Sequence, residues 1–464
     1  MKKILAIMLV LAMVISLCAC SNSENTKETE AATPEGLQVG YAKINVTPDY
    51  AVGLMGYSDA SERLNKDGFI TYIYATCIAA TEGDETILMY TVDNIAMEHS
   101  YAEFFRGYIN KATGIPADKI FFGATHSHNC PSKSGQYKTD LAQWLVEGAE
   151  KALADRAPAT MYAGTKEIPG MNFVRHYKMA DGTYAGSNFG DLSKEFVAHA
   201  TDPDSQMVLV KFDYADEKKK DVLLVNWQAH PDSASEIGYN ALAASWVGPL
   251  RDELEKLSGM NVAYFTGASG NQGKDSRIAS EKNNLSWREY GIKMGELANE
   301  ALSCLQPATG TGIKTNRQML TVDINHTWDH MLDQANEVYD LWKSAGKSAG
   351  DALGKQYGFT SSYQARAIRT RAAMAQTDEL EINAFSINGI GFTTGTYEMF
   401  SNHSLYVKEH SPFDVTFVIT GCSGYIPDPA AYEYRSYEAD TGYYAPGTGE
   451  KLAEAYVEML KQVQ

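Results

Sequence analysis

Cysteine is scarce in this chain, with six among 464 residues. Two of them, Cys18 and Cys20, close an N-terminal apolar stretch; the other four, Cys77, Cys130, Cys304 and Cys422, have neither zinc-ribbon nor redox-pair spacing. In an extracytoplasmic compartment a disulfide is permitted but not implied by them. Basic residues are also outnumbered, 40 Lys and Arg against 58 Asp and Glu, for a formal charge of -18. Such a surface repels nucleic acid and anionic lipid alike, which excludes both as partners held by surface charge. No internal repeat, low-complexity linker or second hydrophobic span interrupts the body of the sequence.

What is present begins with Met1-Lys2-Lys3 and the apolar run Ile4 to Leu17, a basic region followed by a core too short for a membrane span. It ends in Leu17-Cys18-Ala19-Cys20, which resembles a bacterial lipobox and would make Cys20 the lipidated first residue. Residues 1–19 are therefore read as a lipoprotein signal peptide, with plain secretion as the alternative. Residues 20–36 are polar, charged and aperiodic, as a tether from a membrane surface would be. The folded body is expected over 37–464, long enough for one large α/β domain or two ordinary ones, and one is the simpler reading.

Strand-like runs occur at Phe69 to Ala80, Glu85 to Val92, Lys119 to Phe122, Gln206 to Tyr214, Val222 to Trp227, Val262 to Phe265, Ile382 to Ile387 and Val415 to Thr420. Helix-like runs occur at Tyr101 to Ala112, Asp140 to Ala154, Val247 to Leu257, Trp287 to Leu305, His330 to Lys343, Ser361 to Ala375 and Gly449 to Lys461. This interleaving predicts a layered α/β domain with mixed sheets and flanking helices. Functional residues in such folds collect on loops beyond strand ends.

The first candidate is Thr125-His126-Ser127-His128, at the end of an apolar β-prone approach that stops at Pro131. Side chains at i and i+2 of a strand share a face, so His126 and His128 can enter one cleft; two ordinary strand-end histidines are the bland reading. His230, which ends the strand from Val222 just before Pro231, is placed in the same way, and a satisfied structural histidine is its alternative. Glu398 follows a strand and a Gly/Thr turn ahead of a helix, where capping is the alternative role. Tyr425 follows the strand ending at Thr420 and could simply line an interface. Two histidines, a carboxylate and a phenol suffice for a Zn²⁺ site with a position open to water, though sequence alone does not bring them together. The loop Gly267 to Asp275 is not a phosphate loop: five residues separate Gly267 from Gly273 where four are needed, and Asp275 stands where Ser or Thr should follow Lys274. Its glycines permit close approach of backbone to a ligand.

In order along the chain, Val39-Gly40-Tyr41-Ala42-Lys43-Ile44-Asn45-Val46-Thr47-Pro48 with Met55-Gly56-Tyr57, Asp93, Thr125-His126-Ser127-His128, Asn226-Trp227 with His230, and Gly424-Tyr425-Ile426 with Tyr432 and Tyr437-Glu438 resemble the catalytic domain of the neutral, non-lysosomal ceramidases. The resemblance runs from Leu37 to Gln464 and implies the catalytic domain alone. It implies a zinc held by His126, His230, Glu398 and Tyr425, with His128 beside it. It also implies that Arg175 or His176, in Asn172-Phe173-Val174-Arg175-His176-Tyr177, approaches the substrate's polar group. One departure matters: where the family's loop carries its nucleophilic serine, this chain reads Gly270-Asn271-Gln272-Gly273-Lys274, with Gly273 in the serine's place. A second is Ser245-Trp246-Val247-Gly248, where many relatives have an aspartate. Ser245 and Ser269 are weak substitutes for the serine.

A complete ligand set without a nucleophile points to metal-activated water. The expectation is a lipid-anchored zinc hydrolase cleaving an amide, less readily an ester, of an N-acylated lipid or small molecule. His128 is the expected acid/base or oxyanion group, Arg175 the substrate contact, and Asp93 a catalytic or histidine-orienting carboxylate. Gly270, Asn271 and Gly273 form the expected substrate loop. The alternative is a non-catalytic surface lipoprotein that binds an amphipathic ligand or glycan. A lesser possibility pairs Cys130 with Cys422 beside the metal.

Overall fold

The structure is a computed structural model, and it describes residues 36–57 and 63–464. The signal peptide, Cys20 and the tether up to residue 35 lie outside the described residues. Strands β1 (Gln38–Asn45), β2 (Tyr74–Glu82), β3 (Glu85–Val92), β4 (Ile120–Ala124), β5 (Ala157–Glu167), β6 (Gln206–Tyr214), β7 (Val222–Trp227), β8 (Asn261–Thr266) and the short β9 (Gln306–Pro307) make one mixed sheet. Its order is β8-β7-β6-β5-β1-β2-β3-β4, with β9 alongside β5. A second sheet has the order of the chain: β10 (Ile313–Asp323), β11 (Thr377–Ile387), β12 (Ile390–Gly395) and β13 (Thr416–Thr420).

The two sheets pack face to face. Ile78, Met89, Phe121, Val208, Leu224 and Phe265 of the first are buried against Phe385, Phe392, Phe417 and Ile419 of the second. On the other face of the first sheet, helices α1 (His99–Thr113) and α2 (Gly135–Ala154) bury Phe105, Ile109, Leu141 and Leu145 against Cys77, Leu88 and Tyr90. Helices α3 (Val247–Ser258) and α4 (Trp287–Ala301) cover β6 to β8 through Leu250, Leu254, Tyr290 and Met294. Helices α5 (Leu332–Ala345), α6 (Lys347–Gln356) and α7 (Ser362–Ala372) close over a small core of their own around Val338, Phe359 and Ile368. The outer face of the second sheet is covered by α8 (Ser401–His410) and α9 (Thr448–Gln462). The result is the layered α/β architecture with flanking helices that the sequence pattern predicts. Because both faces of β2 are covered, it reads as an almost unbroken buried run, Ala75 and Cys77 facing the helices and Ile78 and Ala80 the second sheet.

Most pairings are antiparallel, but β3 with β4, β7 with β8, and β12 with β13 are parallel. The carboxyl ends of the strands in these parallel pairs carry the sequence candidates: His126 and His128 after β4, His230 after β7, the glycine loop after β8, Glu398 after β12 and Tyr425 after β13. Glu398 and Tyr425 then face each other as partners in the two-residue parallel pair Glu398–Met399 with Tyr425–Ile426. Parallel strands leave their carboxyl ends side by side, so residues far apart in sequence arrive at one place.

Candidate metal centre and active-site cleft

His126 turns out of β4 with φ of 63°, a left-handed conformation that a non-glycine residue adopts at some cost. The turn points its ring at those of His128 and His230. One ring nitrogen of each histidine is committed to a backbone carbonyl: Nδ1 of His126 donates to Ile95 O at 2.5 Å, that of His128 to Gly56 O at 2.9 Å, and that of His230 to Ser269 O at 3.2 Å. Nε2 of His230 lies 3.0 Å from Nε2 of His126 and 3.0 Å from Nε2 of His128. With Nδ1 holding the proton, neutral imidazoles present three lone pairs to one another, which repel unless a proton or a cation lies between them. Glu398 brings its Oε2 to 3.3 Å from His126 Nε2, and that buried oxygen makes no hydrogen bond among the described residues.

The electrostatics set His126 apart from the other two rings. Burial, reinforced by His126, holds His230 well below the ordinary histidine range, and burial lowers His128 to about 4. Both are therefore neutral donors at neutral pH. Burial also disfavours charge on His126, but the neighbouring Glu398 carboxylate and Cys422 thiol outweigh it and raise its pKa. Three imidazole nitrogens, all buried or nearly so, and an unpartnered carboxylate oxygen form a nitrogen and oxygen donor set of the type Zn²⁺ takes. A second cluster, His99, Glu103 and Glu381, is unsuited to a metal because Arg106 and Arg317 already pair with both carboxylates.

His128 and His230 open into a cavity of about 560 Å³, lined also by Tyr57, Arg175, Asp232, Arg366, Tyr437 and Glu438 among others. Arg175 is fixed from one side: its Nε and one terminal nitrogen hold Glu438 Oε1 at 2.9 and 2.7 Å, and the same nitrogen reaches Gly270 O at 2.8 Å and the Tyr425 hydroxyl at 3.3 Å. The other carboxylate oxygen of Glu438 accepts from His176 Nε2 at 2.7 Å. Burial would raise the Glu438 pKa, but His176 and Arg175 hold it at about 2. His176 is thus an anchor for Glu438, and Arg175 is the residue of the pair that lines the cavity.

The glycine loop supports the site rather than merely skirting it. Gln272 O accepts from His230 N at 2.9 Å, and Asn271 bridges to Ser401 through both its side-chain atoms. Gly270 donates to Met399 O at 3.0 Å, and a Cβ there would meet Glu398 O at 2.7 Å, so only glycine lets the loop reach the Glu398 strand. At Gly273 a Cβ would meet nothing within 4 Å.

Several expectations need correction. Asp93 is fully buried away from the histidines, where it takes a bidentate ion pair from Arg251 at 3.0 and 2.6 Å and a bond from Tyr74 N. It is a core ion pair because α3 delivers Arg251 to the end of β3. His128, expected beside a metal, instead belongs to the converging imidazole group, because Gly56 O claims its Nδ1. Cys130 and Cys422 are both free thiols; Cys130 turns to Ala243 O and Cys422 to Thr420. Ser245 gives its hydroxyl to Ser233 at 2.8 Å, and Ser269 is buried with an unpartnered hydroxyl and contributes its carbonyl to His230. The sequence reading passed over Asp232, whose carboxylate accepts from the Tyr57 hydroxyl at 2.5 Å and lies 3.9 Å from His128 Nδ1; its signal was adjacency to His230-Pro231. It also passed over Glu438 as a functional carboxylate, and Arg366, which nothing in its own sequence neighbourhood marks.

Neither a protein-family model nor a curated protein matches the sequence. Solved structures do. The crystal structure of neutral ceramidase from Pseudomonas aeruginosa superposes with a TM-score of 0.67 at 15% identity, covering 92% of this chain and 74% of that one. A ceramidase complexed with C2 gives 0.66 at 15% identity, over 92% and 75%. The chain has a neutral ceramidase-like fold. At this identity the likeness establishes architecture, and the chemistry has to be argued from the cleft.

Proposed function

We propose that this chain is a zinc-dependent hydrolase that cleaves a linear amide of an N-acylated lipid or small molecule. The observation that carries the reading is the convergence of three histidine Nε2 atoms whose Nδ1 atoms are all committed to carbonyls, beside an unpartnered buried oxygen of Glu398. His126, His128, His230 and Glu398 would hold the ion, with the Tyr425 phenol beside Glu398. A zinc ion there supplies Lewis-acid polarisation of a carbonyl and a water acidic enough to ionise near neutral pH.

The chain's own residues supply the rest. Gly56, Ile95 and Ser269 fix the imidazole tautomers through their carbonyls. Arg175, immobilised by Glu438 and Gly270, presents a guanidinium at the cavity wall where it can hold the substrate's carbonyl or hydroxyl oxygen. Asp232, at the cavity wall next to His128, is placed to accept a proton from an attacking water and pass it to the leaving amine. No serine is needed for this route, in keeping with Gly273. Attachment outside the cytoplasmic membrane through lipidated Cys20 is part of the proposal and rests on the leader sequence alone; no helix of the described residues is long and apolar enough to cross a membrane.

The test is hydrolysis of a panel of N-acyl amides and matched esters by the zinc-loaded and the chelator-treated chain. Release of amine only from the zinc-loaded protein supports the reading. Retained folding and tight ligand binding without turnover on any amide or ester would favour a binding lipoprotein instead.

A further inference from the structure

The cavity holds a second guanidinium whose role the hydrolytic reading leaves unassigned. Arg366, half-buried on α7, contributes to the lining. Its guanidinium carbon lies 5.7 Å from the Tyr363 ring centre and 5.9 Å from that of Trp342, close enough for both aromatic faces to attract and orient it. Tyr363 in turn meets Tyr437, which meets Tyr425, so an aromatic wall runs from Arg366 to the candidate metal centre. Among the described residues the Arg366 side chain has no hydrogen bond and no ion pair.

Of the other charged groups of the lining, Glu438 is matched by Arg175 and His176, and Asp232 accepts from the Tyr57 hydroxyl. A pre-oriented guanidinium with unused donors at the wall of a cavity is the arrangement that recognises a carboxylate by paired charge-assisted hydrogen bonds. It is poorly suited to a second hydrocarbon chain, which would strand those donors away from water.

We propose that Arg366 is a specificity-determining residue that selects a substrate bearing an anionic group, such as an N-acyl amino acid, rather than a neutral two-chain lipid. This rests on the amide-hydrolase reading for the word substrate, but the anion preference stands on the cavity itself and can be measured without turnover. Binding of N-octanoylglycine and of its neutral carboxamide is to be compared by calorimetry on the full chain treated with chelator, so that no metal can take the carboxylate. The wild type should bind the carboxylate about 10- to 100-fold more tightly than the carboxamide. Arg366→Gln should abolish that preference while leaving carboxamide affinity and the thermal midpoint unchanged, and Arg366→Lys should restore part of it. Equal binding of the two ligands by wild type, no measurable binding of the carboxylate at millimolar concentration, or an undiminished preference in Arg366→Gln would each overturn the proposal. A preference lost in the variant, in a protein that hydrolyses neither ligand when zinc-loaded, would leave the anion site standing and refute the hydrolase reading instead.

Discussion

At the scale of single residues, the proposed function depends on which ring nitrogen of each histidine carries the proton, and that is decided by three carbonyls rather than by the histidines. Gly56 shows how tightly this is built. It has φ of 110°, and a Cβ there would sit 2.8 Å from the His128 side chain while Gly56 O holds His128 Nδ1. Gly56→Ala is therefore expected to displace His128 and lower zinc affinity at least 10-fold, read by competition with a chromogenic chelator. Gly273 is the counterexample: its φ is ordinary and its Cβ direction is open. Gly273→Ser should leave the thermal midpoint within about 2 °C of wild type, measured by calorimetry. A larger fall would show that the glycine is structurally required there. His128→Ala separates two roles: as a ligand it should cost at least about 100-fold in zinc affinity, whereas full metal content with lost turnover would make it an acid/base group.

At the scale of elements, the two sheets share an aromatic core, and the second sheet is also tied to helix α1 by a buried ion cluster. Glu381 on β11 takes two bonds of 2.7 Å from Arg106 on α1 and one of 3.0 Å from Arg317 on β10. Burial alone would raise the Glu381 pKa; Arg106 and Arg317, aided by Asn383, outweigh it and bring it to about 2. The unfolded chain, with this group at its ordinary 4.5, takes up the proton first as pH falls. The stabilisation is therefore complete above about pH 4.5 and is lost as pH approaches 2. Glu381→Gln should destabilise the fold by about 3 kcal/mol at pH 7, because buried Arg106 loses its buried carboxylate partner and keeps only the half-exposed Glu103, and should flatten the loss of stability between pH 4.5 and 2 in denaturant titrations.

The same scale shows what could be read from the chain. Elements buried on both faces, such as β3, β6 and β7, appear in the sequence with the bounds they have in the structure, because unbroken apolar runs leave little choice. Edge strand β10, IKTNRQMLTVD, was missed: most of its side chains are exposed or half-exposed, so no apolar run marks it. Helix α6 was missed because Gly350 and Gly354 lower its helix propensity; a Cβ at Gly350 would meet Trp342 at 2.8 Å, so the glycine serves packing against α5. Within the site, residues just beyond strand ends were legible. Arg366 was not, because only the fold brings its helix to the lining of the cavity. Asp93 misled because a carboxylate after a strand looks the same whether it meets a substrate or, as here, Arg251.

At the scale of the whole molecule, parallel pairs at the ends of two face-to-face sheets bring residues from 126 to 398 into one donor group, while the -18 charge keeps the rest of the surface repulsive to anionic polymers. A ligand that binds the native state alone adds stability, about 2.7 kcal/mol at a concentration 100 times its dissociation constant. Adding zinc should therefore raise the unfolding midpoint of wild type and not that of His126→Ala. The most direct test of the account is elemental analysis of the purified full chain, wild type and His126→Ala. The account predicts close to one zinc per wild-type chain and little in the variant, with both folded. A folded wild type that holds no zinc even after incubation with the metal would contradict it.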